Sequence, residues 1–285
     1  MCDEFTGTAD ETTGSLTRRQ FATAGTAAAI AAYATPALAA GSLSENMVDV
    51  TTPDGKCDAF FVHPAKGKHP GVIMWPDALG LRDANKAMAR RLAGDGYSVL
   101  IVNPYYRLLR GAVGLDFSAF RTPEGRQKIT PLMGSLTPAD IAKDAAAFVA
   151  FLDAQPSVDT KRGIGAQGYC FSGAFAIRAA ATVPERIKAV ATFHGGGLVN
   201  DKPESPHLSI AKTKASFLIA IAKDDDAKQP DAKDVLKATA AAAGRPAEIE
   251  VYKGDHSWTV PDAPVYDKAE GDRAWARLLA LYAKL

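Results

Sequence analysis

Short apolar runs alternate with amphipathic segments along most of the chain. Most of the runs are continuously apolar, which is the pattern of strands buried on both faces of a mostly parallel sheet. The first two alternate between apolar and polar residues, and they predict an antiparallel hairpin at one edge of the sheet. The predicted strands are residues 47–51, 59–63, 71–75, 98–102, 163–168, 189–193, 217–222 and 247–252.

Helical patterns lie between these strands. One begins at Thr137, where a capping side chain precedes Pro138 in the first turn and Asp140 near the positive end of the helix dipole. Strands that alternate with helices predict an α/β fold, a three-layer sandwich around a mostly parallel sheet of about eight strands. Residues 105–135 lack a clear period and are interpreted as a loop or lid. The predicted helices are residues 85–93, 138–152, 174–182, 232–243 and 266–284.

The first 40 residues have a different character. Arg18 and Arg19 are followed by Phe21, a weakly apolar stretch over residues 22–33, and the small-residue sequence Ala37-Leu38-Ala39. This order predicts a twin-arginine export signal over residues 1–40 and a periplasmic or secreted protein; a disordered tail with an Ala-rich helix is the alternative. The stretch is too short and weakly apolar to predict a stable membrane span.

The remaining residues, 41–285, are interpreted as one domain because no linker divides them. The chain is 47% hydrophobic and 23% charged, as is ordinary for a soluble globular protein. A net charge of +1, without a basic stripe interleaved with aromatic residues, argues against nucleic acid as a partner. Since Cys2 lies in the predicted signal, Cys57 and Cys170 are the cysteines of the domain.

The segment Gly168-Tyr169-Cys170-Phe171-Ser172-Gly173 lies where a predicted strand ends and a helix begins. This is the layout of a nucleophile elbow, with Cys170 where serine is usual. Such a turn presents the nucleophile and places the next N–H, that of Phe171, at a helix N-terminus where it can donate to an oxyanion. The same layout also fits a buried structural cysteine. A serine hydrolase using Ser172 would need a different register, because Cys170 would then occupy the leading glycine position.

An acid and a base follow later in the chain, in the order that an elbow nucleophile requires. Asp225 follows the strand 217–222 and is the favoured acid, with Asp224 and Asp226 as alternatives. His256 follows the strand 247–252 and is the favoured base. His194 is the rival base, because it also lies just beyond a strand.

The loop after the third strand reads Trp75-Pro76-Asp77-Ala78-Leu79-Gly80. In this class of fold that loop supplies the second oxyanion N–H, and Ala78 is the candidate. Asp77 would then lie close to the Cys170 thiol, where its charge would hold the thiol neutral at rest.

Taken together, residues 46–285 resemble the dienelactone hydrolase (carboxymethylenebutenolidase) family of α/β-hydrolases. The resemblance implies the α/β-hydrolase fold, a Cys-Asp-His triad at Cys170, Asp225 and His256, and an acidic modulator at Asp77, where the best-known members have Glu. Tyr106, Arg107 and Trp258 lie in the matching motifs and are expected to bind substrate. The motifs are Gly168 to Gly173, Asp77 to Leu81, Asn103 to Arg107, Phe193 to Gly197, Ala222 to Asp226 and Asp255 to Trp258.

The chain also departs from the family pattern. The best-studied members bind the substrate carboxylate through two arginines, one after the fourth strand and one just beyond the catalytic histidine. Arg107 matches the first, but Ser257, Trp258, Thr259 and Val260 follow His256. The sequence therefore argues against dienelactone itself as the substrate.

The expected activity is hydrolysis of a small ester or lactone through an acyl-thioester on Cys170, without a metal or an organic cofactor. Two further classes of function stay open. The first is an exported protein of the same fold that binds a ligand without turnover. The second is a redox protein in which Cys170 pairs transiently with Cys57.

Overall fold

Eight strands form the centre of the protein, as described by a computed structural model that covers residues 42–285. Each predicted strand is present, so the strand prediction is confirmed, with ends that differ by a few residues. The strands are β1 (Leu43–Thr52), β2 (Gly55–Pro64), β3 (Gly71–Trp75), β4 (Ser98–Val102), β5 (Ile164–Tyr169), β6 (Ile187–Phe193), β7 (Ser216–Ala222) and β8 (Ala247–Tyr252).

The strands form one sheet in the order β1-β2-β4-β3-β5-β6-β7-β8. β1 and β2 pair antiparallel, and β2 is also antiparallel to β4; the pairs from β4 through β8 are parallel. The predicted edge hairpin is therefore confirmed. In a parallel sheet the carboxyl ends of the strands meet at one edge, so the segments after β3, β5, β7 and β8 are brought together there.

Helices cover both faces of the sheet. Ile141 and Phe148 of α4 (Pro138–Asp153) and Phe175 of α5 (Gly173–Thr182) belong to the hydrophobic core on one face. Leu92 of α1 (Asp83–Gly94) and Leu278 of α8 (Lys268–Tyr282) belong to the core on the other. This is the predicted three-layer sandwich. The helices are α1 (Asp83–Gly94), α2 (Phe117–Phe120), α3 (Pro123–Gly134), α4 (Pro138–Asp153), α5 (Gly173–Thr182), α6 (Lys223–Lys228), α7 (Ala232–Ala242) and α8 (Lys268–Tyr282), with 3₁₀ turns at Cys170–Ser172 and Pro206–Lys212.

The segment 105–135 contains the helices α2 and α3, which the sequence pattern does not predict. α3 begins at a Thr122 cap followed by Pro123, but it contains Pro131 and buries few side chains. Short, mostly exposed helices give a weak apolar period, because few of their positions face a core. Ile129 of α3 packs with Tyr105 in a small cluster separate from the two main cores.

The predicted export signal at residues 1–40 lies outside the described residues. Within residues 42–285, no helix combines the length and apolar character needed to cross a bilayer.

Candidate active site

Cys170 lies on the turn between β5 and α5, with its backbone in the left-handed region at φ 58°. This conformation is uncommon for a residue other than glycine. The turn is tight enough that a Cβ on Gly168 would lie 2.1 Å from the carbonyl oxygen of Ser172. The Cys170 thiol is free and partly exposed. The segment therefore has the geometry of a nucleophile elbow.

Ser172 joins the elbow to the end of β3. Its hydroxyl is fully buried, lies 2.9 Å from the carbonyl oxygens of Trp75 and Tyr169, and accepts the N–H of Tyr169. Because it points into the protein and not into a cavity, the Ser172 hydroxyl is not placed to attack a substrate.

The imidazole of His256 lies against the carboxylate of Asp225. The distance from Nδ1 of His256 to Oδ2 of Asp225 is 2.5 Å. The two neighbouring aspartates make other contacts: Asp224 accepts the backbone N–H of His256, and Asp226 pairs with Lys233. Of the three acidic side chains after β7, Asp225 is thus the one that contacts the imidazole ring.

The charges of this pair stabilise each other. Burial disfavours the imidazolium, but the hydrogen bond to Asp225 and the attraction of the positive ring to a Cys170 thiolate outweigh it and raise the pKa of His256 to about 10. Burial likewise opposes ionisation of Asp225, yet the hydrogen bond to His256 and the nearby Lys228 lower the pKa of that carboxyl. Cys170 and His256 line the same cavity, so the nucleophile, base and acid candidates lie at one site.

His194, the rival base, has no exposed surface. Its ring packs edge-on against His256 at a centroid distance of 4.9 Å, beneath the elbow. Burial and the neighbouring His256 hold the pKa of His194 well below its usual range. A buried ring of low basicity that does not line the cavity is poorly suited to take a proton from a substrate or from water.

The Cys170 thiol and the His256 ring open onto a cavity of about 360 Å³, within the usual range for small-molecule sites. Its lining includes the apolar side chains of Phe117 and Phe120 of α2, so part of the segment predicted as a loop or lid borders the site. Arg121 contributes a positive charge to the lining. Within residues 42–285, no group of three or more His, Cys, Asp or Glu side chains is arranged to hold a metal ion.

The two predicted oxyanion donors belong to different segments of the chain. Ala78 lines the cavity, on the loop after β3, and Phe171 immediately follows Cys170. Among the hydrogen bonds of the described residues, the N–H groups of Ala78 and Phe171 donate to no other group. Both donors are therefore available to a ligand oxygen.

Asp77 lines the same cavity, but its carboxylate has a partner that the sequence analysis did not identify. Arg82 donates to both of its oxygens, at 2.7 and 2.9 Å, and the N–H of Leu79 donates to one of them. The guanidinium of Arg82 also binds Asp262, on the segment after His256. Asp77 thus faces the site as a neutralised ion pair.

The three predicted substrate-binding residues, Tyr106, Arg107 and Trp258, are not among those that line this cavity. Arg107 forms ion pairs with Asp144 and Asp54, and the hydroxyl of Tyr106 also binds Asp144. Trp258 is fully buried. Arg107 and Tyr106 are thus bound to acidic partners, and Trp258 packs against Tyr252 and His194.

The side chains that the sequence analysis missed are Arg82, Phe117, Phe120 and Arg121. Arg82 contacts Asp77, five residues away in the sequence, and Asp262, 180 residues away. No local sequence pattern predicts a contact between residues as distant as Arg82 and Asp262. The other three belong to or adjoin α2, which has too few buried positions for a period.

Cys57, the second cysteine of the domain, is fully buried on β2 and its thiol donates to the carbonyl of Asn103. Burial raises the pKa of the Cys57 thiol far above its ordinary value. Both cysteines are free. A thiol in this state is unreactive, so the geometry gives no support to a redox pair with Cys170.

The chain is similar to known proteins in sequence and in fold. The family model for the dienelactone hydrolase family matches residues 57–285. A putative carboxymethylenebutenolidase from Methylorubrum extorquens is 28% identical over 255 residues, covering 87% of this chain and 84% of the relative.

Two solved structures have the same fold. The structure of a putative dienelactone hydrolase from Klebsiella pneumoniae is 22% identical, with a TM-score of 0.74 over 86% of this chain and all of that one. A dienelactone hydrolase-like promiscuous phosphotriesterase, P91, from metagenomic libraries is 26% identical, with a TM-score of 0.70 over 86% of this chain and 99% of that one.

Proposed function

The chain belongs to the dienelactone hydrolase family, and from this premise we propose that it hydrolyses small esters or lactones with Cys170 as nucleophile, His256 as base and Asp225 as the acid that orients the base. One observation carries the proposal: Cys170 and His256, whose ring is bound to Asp225, line the same cavity. Nucleophile, base and orienting acid in hydrogen-bond reach are the requirement for acyl transfer.

The first half of the reaction acylates the thiol. His256 takes the proton of the Cys170 thiol, and the sulfur attacks the carbonyl carbon of the substrate. The carbonyl oxygen gains negative charge and is held by the N–H groups of Phe171 and Ala78. Loss of one such donor typically raises the barrier by about 3–4 kcal/mol. The C–O bond then breaks, and the imidazolium of His256 gives its proton to the leaving alkoxide.

The second half releases the acid. A water molecule gives a proton to His256 and attacks the thioester carbonyl, the C–S bond breaks, and the proton returns to the sulfur. The carboxylate of Asp225 stabilises the imidazolium in each half.

The cavity indicates the kind of substrate. Its volume, about 360 Å³, suits a small ester or lactone. Phe117 and Phe120 offer an apolar surface for the acyl or alcohol part, and Arg121 offers a positive charge at a different position from Arg107, the residue that the family resemblance favours.

The proposal is tested with p-nitrophenyl acetate, p-nitrophenyl butyrate and dienelactone. Cys170→Ala is expected to lose activity on every ester that the full-length protein hydrolyses, whereas Cys57→Ala is the matched control and is expected to retain it. An electrophile such as iodoacetamide should label Cys170 and abolish activity. Equal rates for Cys170→Ala and the unmodified protein would remove Cys170 as nucleophile and favour a binding protein without turnover.

Export by the twin-arginine pathway is a separate proposal, supported by the order of motifs in residues 1–40. Replacing Arg18 and Arg19 together with lysine is expected to keep the protein inside the cell, as measured by fractionation and immunoblotting. An unchanged distribution between fractions would contradict it.

A further inference from the structure

The N–H of Cys170 has an unusual acceptor. The parallel ladder between β5 and β6 ends at the pair of Tyr169 and Phe193. The residue after each of these two strands has a left-handed backbone conformation, with φ of 58° at Cys170 and 42° at His194. The N–H of Cys170 no longer faces a strand, and it donates instead to Nδ1 of His194, at 3.1 Å.

The protonation state of His194 follows from its partners. A backbone N–H can only donate, so Nδ1 must carry no proton. In a neutral ring the proton is then on Nε2, which lies 3.1 Å from the hydroxyl oxygen of Thr259 and donates to it. Complete burial and the adjacent ring of His256 keep His194 neutral. Thr259 therefore fixes the tautomer that accepts from Cys170.

We propose that His194 is a positioning residue for the nucleophile, holding Cys170 in its left-handed conformation through this accepted hydrogen bond. The inference rests on Cys170 being the nucleophile, and it assigns His194 no contact with substrate. It also accounts for a second histidine beside His256, because an apolar side chain of the same size would fill the space but leave the partly buried N–H of Cys170 without its acceptor.

Two reacting groups depend on the backbone angles of Cys170. Its φ sets the direction of the side chain and hence of Sγ. The peptide plane that follows contains the N–H of Phe171, so rotation at Cys170 moves the nucleophile and an oxyanion donor together. A displacement of about 1 Å in a reacting group can cost roughly 100-fold in rate. Substrate binding by the apolar wall would change much less.

The test compares His194→Asn with His194→Leu, two side chains of similar size. The amide oxygen of Asn can accept the N–H of Cys170, whereas Leu cannot. We expect His194→Leu to lower kcat on p-nitrophenyl acetate by roughly 100-fold, with KM nearly unchanged, and His194→Asn to recover most of that loss. The values are expressed per mole of iodoacetamide-reactive Cys170, so that loss of folded protein does not enter kcat.

A role in folding alone would change the reactive fraction and the free energy of unfolding, but not kcat per reactive thiol. Wild-type kcat in His194→Leu, or equal losses in the Asn and Leu variants, would overturn the inference. Cys170→Ala, assayed in parallel, separates this from the proposed function. If Cys170→Ala is inactive while His194→Leu keeps wild-type kcat, only the role of His194 fails.

Thr259→Val provides a second test that leaves His194 in place and does not depend on the folding of His194→Leu. Without the hydroxyl, the Nε2–H loses its acceptor, and the tautomer with a proton on Nδ1 gains population. We expect a kcat lowered by roughly 10-fold with an unchanged KM. Thr239→Val, on α7, is the control and keeps wild-type kcat. An unchanged kcat in Thr259→Val would overturn the inference.

Discussion

At the residue scale, side chains of the same chemical type have different roles because they contact different partners. Asp224, Asp225 and Asp226 are consecutive, yet they bind the backbone of His256, the ring of His256 and Lys233 respectively. The two histidines are separated in the same way, since His256 lines the cavity and His194 is fully buried. Each role follows from which partner the backbone brings within reach.

The first prediction compares Asp225→Asn with Asp226→Asn. An amide at position 225 no longer stabilises the imidazolium and can hold His256 in the wrong tautomer, so kcat on p-nitrophenyl acetate should fall by roughly 1,000- to 10,000-fold. Asp226→Asn is the matched control, because its contact with Lys233 lies outside the triad, and its kcat should stay close to wild type. Similar losses in both variants would contradict the assignment of Asp225.

The second prediction concerns pH. The pKa of His256 is raised to about 10, against about 6.5 in an unfolded chain. Because the pKa of His256 is higher in the folded state, its protonated ring stabilises the folded protein. This contribution is fully present below about pH 6.5 and is lost as the pH rises towards about 10. His256→Asn should therefore destabilise the protein more at pH 6 than at pH 10, as measured by urea unfolding. An equal difference at the two pH values would contradict the raised pKa.

At the element scale, the site depends on a junction between the elbow and the end of β3. The Ser172 hydroxyl binds carbonyls of Trp75 and Tyr169, so it links the strand that precedes the Ala78 loop to the strand that precedes Cys170. Gly168 makes this close approach possible, since a side chain there would collide with the backbone of Ser172.

The third prediction is that Ser172→Ala lowers the free energy of unfolding by about 1–3 kcal/mol, because it leaves buried polar groups without a partner. Ser135→Ala is the control: its hydroxyl donates to Leu132 at the partly exposed end of α3, and it should change stability by less than about 0.5 kcal/mol. Urea unfolding measures both. A Ser172→Ala variant as stable as the control would show that the junction does not depend on this hydroxyl.

At the scale of the whole molecule, Arg82 holds together segments that are distant in sequence. It precedes α1, pairs with Asp77 after β3, and pairs with Asp262 after His256. The carboxylate of Asp77 is almost fully buried, so its charge depends on Arg82.

The fourth prediction is that Arg82→Gln destabilises the protein by about 3–5 kcal/mol, because removal of one partner leaves a buried charge uncompensated. Arg90→Gln, on α1, removes an exposed pair with Glu45 and should cost less than about 1 kcal/mol. Adding Asp77→Asn to Arg82→Gln should restore part of the loss. If Arg82→Gln costs no more than Arg90→Gln, the buried pair is not a structural requirement.

The sequence determined much of the fold and the composition of the site. Continuous apolar runs predicted the strands because burial on both faces of a sheet leaves no place for polar residues. The Gly-rich elbow and the positions of Asp225 and His256 after their strands predicted which segments meet, because parallel strands end at one edge.

Only the tertiary structure decided what each side chain touches. Arg107 and Trp258 lie in the expected motifs, but ion pairs and burial hold them away from the cavity. Arg82 and His194 acquire their contacts from segments far away in the chain. The local sequence pattern indicates which positions of a strand or helix are buried, because buried positions repeat with the period of that element. A hydrogen bond between distant segments has no such period, and it is fixed only when the whole chain has folded.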